Sequence, residues 1–73
     1  MSKAVDLAGD AASRDPEVGL RAVAALGRLL ERLEELQVGN ARDQGWTWED
    51  IAGHLGVSKQ AVHKKHAKRW GGR

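Results

Sequence analysis

At 73 residues the chain has room for one domain, close to the size where a lone hydrophobic core is marginal, because only about 60% of the unfolded surface is buried at this scale. It has no Cys, which excludes disulfides and thiolate metal sites, and no apolar run near the roughly 20 residues of a membrane span or resembling a signal-peptide core. The net charge of +2 is unevenly placed: residues 1–44 carry six Lys or Arg against eight Asp or Glu (−2), and residues 45–73 carry six against two (+4), with three His besides.

The first predicted element runs from Ser2 to Arg14. Ala4, Val5, Ala8, Ala11 and Ala12 make a weakly apolar helical face, Ser2 is placed to cap it, and Gly9 weakens it. Packing against the rest of the chain and a mobile arm are both open as its role. Asp15-Pro16-Glu17 then marks a helix start, with Asp15 as cap and Pro16 in the first helical position. Ala22, Leu26, Leu29, Leu33 and Leu36 follow at spacings of four, three, four and three, a heptad-like stripe that Val23 and Leu30 widen. The other face carries Arg21, Arg28, Glu31, Arg32, Glu34 and Glu35, and Glu17 lies four before Arg21, a favourable pair. The leucines have two readings, the domain's own core and a dimer seam through Leu26, Leu29, Leu33 and Leu36. Gly39 weakens the helix and a break at 38–40 is an alternative. The pattern nonetheless continues through Ala41, Arg42, Asp43 and Gln44 to Gly45, a good left-handed stop with Trp46 placed to fold back. One long helix over 16–44 is therefore expected. It would span roughly 43 Å, more than a motif of this size needs for its own core.

Thr47 and Asp50 have the spacing of a capping box, and Trp46 and Ile51 that of a hydrophobic staple. Ile51, Ala52 and Leu55 share one face of the short helix that follows. Gly56 stops it, Ser58 caps the next helix, and Val57 and Val62 repeat the staple spacing. In that last helix Val62 points inward, while Lys59, Gln60, His63, Lys64 and Lys68 point largely outward. Beyond Ser58 there are six basic residues and no acid, the electrostatic footprint of a polyanion binder; a solvated basic face is the plainer alternative. Gly71-Gly72-Arg73 reads as a helix stop and frayed end.

The run from Trp48 to Ala67 resembles the helix-turn-helix of bacterial DNA-binding proteins, through Ile51, Ala52, Leu55, Gly56, Val57, Ser58 and Val62. It is most similar to the form in region 4 of sigma factors and in small transcriptional regulators, which Gly45, Trp46, Thr47, Ile51 and Ala52 fit. The resemblance covers roughly a third of the chain. It implies a small residue at Ala52 for close helix crossing. One departure is Lys65, where that family has an apolar residue; the last turn must then pack through Ala67 or Trp70.

The expected architecture is all-α, a small helical domain with a long central helix and a C-terminal helix-turn-helix. It would be a single domain over 1–73, with a helix or arm at 1–14, the long helix at 16–44 and the motif at 46–70. Few strand formers are present, and Ala, Leu, Glu and Arg dominate. The resemblance implies that the helix 59–69 docks in the major groove of double-stranded DNA, with Lys59, Gln60, His63 and Lys64 toward the bases. Thr47, Ser58, Lys65 and Lys68 are assigned to phosphate. Trp46 and Trp48 read as packing rather than base-stacking residues, and Trp70 as core, with exposure to a partner as its alternative. His54 reads as a surface residue. His63 and His66 share an i, i+3 spacing that would suit a metal, but no carboxylate or Cys accompanies them on that helix, so groove or phosphate contact is preferred. No nucleophile–base pair, phosphate loop or acid pair appears, so neither an enzyme nor a cofactor is expected.

These features lead us to expect a sequence-specific DNA-binding regulator, homodimeric, cytoplasmic and associated with the nucleoid, with no membrane attachment. A helix-turn-helix module that binds a protein such as an RNA polymerase subunit or partner regulator, and a DNA-docking accessory of a recombinase, are the alternatives.

Overall fold

The structure, a computed structural model, describes residues 3–70. Among them are four helices and no strand: α1 (Lys3–Ala11), α2 (Pro16–Asp43), α3 (Trp48–Leu55) and α4 (Lys59–Trp70). The all-α expectation holds. The proposed Ser2 cap and the Gly71-Gly72-Arg73 stop lie outside the described residues. The contacts divide the chain into two units, residues 1–33 and 34–73, and α2 contributes to both.

In the first unit α1 ends at Ala11, three residues short of the expected Arg14. Pro16 opens α2, which disfavours helical backbone at the residue before it. Ser13 Oγ instead accepts the Asp15 N–H at 3.1 Å, and Asp15 Oδ1 accepts the Glu17 N–H at 3.0 Å as the α2 cap. Gly19 and Ala22 are buried, Leu7, Ala11, Ala25, Leu26 and Leu29 half-buried. A Cβ on Gly19 would sit 3.4 Å from the Ser13 carbonyl, so a small residue there lets the turn approach α2. α1 and α2 border a hollow of about 200 Å³ lined by Lys3, Leu7, Ala25, Arg28, Leu29 and Arg32. The Glu17–Arg21 pair forms at 3.1 Å with both side chains well exposed, so it adds at most a few tenths of a kcal/mol.

The second unit is built on Val38, Ile51, Ala52 and Val62, with Ala41, Trp46, Trp48 and Trp70 packed around them. α2 passes through Gly39 without a break. It ends at Asp43, one residue short of the expected 44, and Gly45 follows at a φ of 86°, the left-handed conformation glycine favours. The Gly45 N–H donates to Arg42 O at 3.0 Å and the Trp46 N–H to Ala41 O at 3.0 Å, the paired bonds of a Schellman ending. The α3 capping box is complete: Thr47 Oγ1 accepts the Asp50 N–H at 3.1 Å, and Asp50 Oδ2 accepts the Thr47 N–H at 3.3 Å. Gly56, at φ 73°, closes α3. Leu55 departs from expectation. It shares a helix face with Ile51, but as the last residue before the turn it lies at the edge of the packing and stays 41% exposed. It borders an open groove of about 260 Å³ with Val38, Ala41, Trp46 and Ile51. Val57 is likewise 49% exposed rather than stapled under Val62; the turn is held by the Val57 N–H to Ala52 O at 3.1 Å.

Candidate nucleic-acid interface

The inward positions of α4 follow a four-residue step through Val62, His66 and Trp70. Gln60, Lys64 and Lys68 repeat the same step half a turn away and are exposed, as are Lys59 and His63. Ser58 Oγ accepts the Ala61 N–H at 3.1 Å, capping the helix. The hydroxyls of Thr47 and Ser58 thus each use a lone pair in a cap and keep an O–H to donate. Both residues are exposed at the helix starts.

His66 corrects the sequence reading. Expected at a groove or phosphate, it is instead buried at 3% exposure, and its Nε2 lies 2.7 Å from Glu34 Oε2. A carboxylate only accepts, so Nε2 carries the proton in this bond. The buried Nδ1 has no partner among the described residues. Glu34 is the second correction. Assigned to the solvent face of the long helix, it faces α4, where Lys65 Nζ also reaches the same oxygen at 3.1 Å. The hydrogen bond from His66 holds the Glu34 carboxyl below its ordinary pKa; partial burial opposes this, and Lys65 adds to it. The inward place that the resemblance gives to an apolar residue at Lys65 is therefore filled one position later, by an imidazole with a carboxylate partner.

Two further residues escaped the sequence reading. A Cβ on Gly39 would lie 2.8–3.0 Å from the indole carbons of Trp70, so the glycine that looked like a helix breaker is the surface on which Trp70 lies. Arg42 ties three segments together. Its Nη1 donates to Trp46 O at 2.8 Å and its Nε to Trp70 O at 3.4 Å, and its guanidinium sits 4.7 Å from the centre of the Trp48 ring. A basic residue in the last turn of a helix is a recognised partner for carbonyls, and that was the signal available. Trp46 and Trp48 pack on the core, as expected, and each also meets a histidine edge-to-face: Trp46 with His54 at 4.7 Å and Trp48 with His63 at 5.4 Å between ring centres.

The result is a two-sided helix. One side is locked to α2 and α3, and the other presents cations and the Gln60 amide with no acidic residue on α4. The family model of the homeodomain-like domain matches residues 28–73, more than half of the chain. The chain belongs to the homeodomain-like family. No curated protein and no solved structure matches it. The homeodomain-like match spans the whole turn and both its helices, in agreement with the helix-turn-helix resemblance. Of the leucine stripe, Leu26 and Leu29 are half-buried, while Leu33 and Leu36 remain 48% and 55% exposed. Among the described residues no helix is long and apolar enough to cross a membrane.

Proposed function

We propose that this homeodomain-like chain is a small transcriptional regulator that binds double-stranded DNA by sequence, with α4 in the major groove. The observation that carries the reading is the outward side of α4, where Lys59, Lys64, Lys68 and Arg69 are exposed on a helix that bears no acidic residue. Lys59, Gln60, His63 and Lys64 would reach base edges, Gln60 pairing with adenine and the lysines donating to guanine. Thr47, Ser58 and Lys68 would bind phosphate, and Lys65 would share its ammonium between phosphate and Glu34. In this reading the protein works at the nucleoid of a bacterial cytoplasm and carries no catalytic step of its own. One recognition helix reads too few base pairs to discriminate against a genome of competing sites. We therefore add a homodimer, with Leu33 and Leu36 as the exposed part of its seam.

A second reading, a protein-interaction module, draws on the apolar groove beside Leu55 and Trp46. Salt separates the two. DNA binding through about five phosphates gives a log–log slope of affinity on salt near −4 to −5. Lys68→Ala should reduce that slope by about one. Affinity for duplexes that hardly changes with salt would favour the protein-interaction reading.

A further inference from the structure

We propose that Trp48 is a positioning residue for sequence readout. Its indole holds the His63 imidazole in one orientation on α4, so discrimination at one base position depends on a residue that touches no base. The proposal rests on the DNA-binding reading above and names the device that sets one of its contacts.

Trp48 is the first residue of α3, and the capping box at Thr47 fixes its backbone. Its ring is half-buried against the core. The Arg42 guanidinium lies 4.7 Å from the ring centre, and Arg42 is itself anchored on the Trp46 and Trp70 carbonyls. The indole is therefore held by its backbone, by the core and by a cation. The His63 ring meets it at 5.4 Å and an interplanar angle of 80°, the edge-to-face geometry that aromatic quadrupoles favour. His63 is otherwise exposed and, among the described residues, makes no hydrogen bond, which leaves both ring nitrogens for a ligand. Without the indole an exposed histidine would sample several rotamers, and binding DNA would have to order it. With it, the ring is oriented before DNA arrives.

The test is selection of bound duplexes from a random pool by the full chain and by His63→Ala, Trp48→Leu, Trp48→Phe and the double variant Trp48→Leu/His63→Ala. The proposal expects His63→Ala to erase preference at one position of the selected site. Trp48→Leu should weaken preference at that same position by about 3- to 10-fold, Trp48→Phe should retain most of it, and the double variant should match His63→Ala. A Trp48→Leu effect spread over all sequences, or additive with His63→Ala, would overturn it and leave the DNA-binding reading standing. A wild-type chain that enriches no sequence would overturn that reading and this inference with it. A second readout needs no DNA. In the wild-type protein the His63 ring protons should show a ring-current shift by NMR, lost in Trp48→Leu and largely kept in Trp48→Phe; unshifted His63 protons would also overturn the proposal.

Discussion

A Cβ built on Gly39 would lie 2.8–3.0 Å from three indole carbons of Trp70, whereas one on Gly27, in the same helix, would meet nothing within 4 Å. Propensity alone favours Ala over Gly by about 1 kcal/mol at either site. At Gly27 that gain should appear in full as a raised melting temperature. At Gly39 the ring is pinned in the core and must be displaced, and overpacking of this kind typically costs about 1–3 kcal/mol. Gly39→Ala should therefore lower stability despite its better propensity. Thermal unfolding of the two variants beside the wild type checks the pair; a Gly39→Ala protein stabilised as much as Gly27→Ala would show that the Trp70 contact does not constrain the helix. The same site explains why part of the core escaped the sequence. Glycine inside a helical pattern signals weakness, and only the ring arriving from thirty-one residues later turns it into a packing surface.

The elements are joined by a polar link as well as by the apolar core. α4 is fastened to α2 through His66 and Glu34, and Lys65 sits on the same carboxylate. Because Glu34 has its pKa depressed in the folded state, its contribution to stability is complete above the unfolded value of 4.5 and is lost as pH falls through the lower folded value. The difference in melting temperature between wild type and Glu34→Gln should thus be present near about pH 7 and shrink below about pH 4.5. A difference that stays constant across that range would mean the ionised carboxylate does not matter to the link. The local signals in this chain were legible because they act over a few residues: Asp15-Pro16, the Thr47–Asp50 box, and the glycines at 45 and 56. The His66–Glu34 pair spans 32 residues and breaks the rule that charged side chains face solvent, so Glu34 was placed on the solvent face and His66 at a groove or phosphate. At the candidate site the outward cations of α4 followed from helical spacing. The contact of Trp48 with His63, and the arginine behind it, needed the crossing of α3 and α4 to be seen.

Leu33 and Leu36 are large apolar side chains left 48% and 55% exposed in a chain short of core, and a second copy covering them would add burial that one chain lacks. Leu33→Asp places a charge in that seam. It should convert a homodimer into a monomer in sedimentation at micromolar concentration and abolish binding to a two-fold site, while α4 keeps its cations. A wild type that sediments as a monomer both free and bound, one per site, would remove the seam from the account and leave Leu33 and Leu36 as surface. The central claim is that the outward side of α4 reads DNA sequence. Its most direct measurement is the enrichment of duplexes bound by the full chain from a random double-stranded pool. The account predicts one enriched motif with two-fold symmetry and half-sites about one turn, or 34 Å, apart. A pool that comes through unchanged would contradict it.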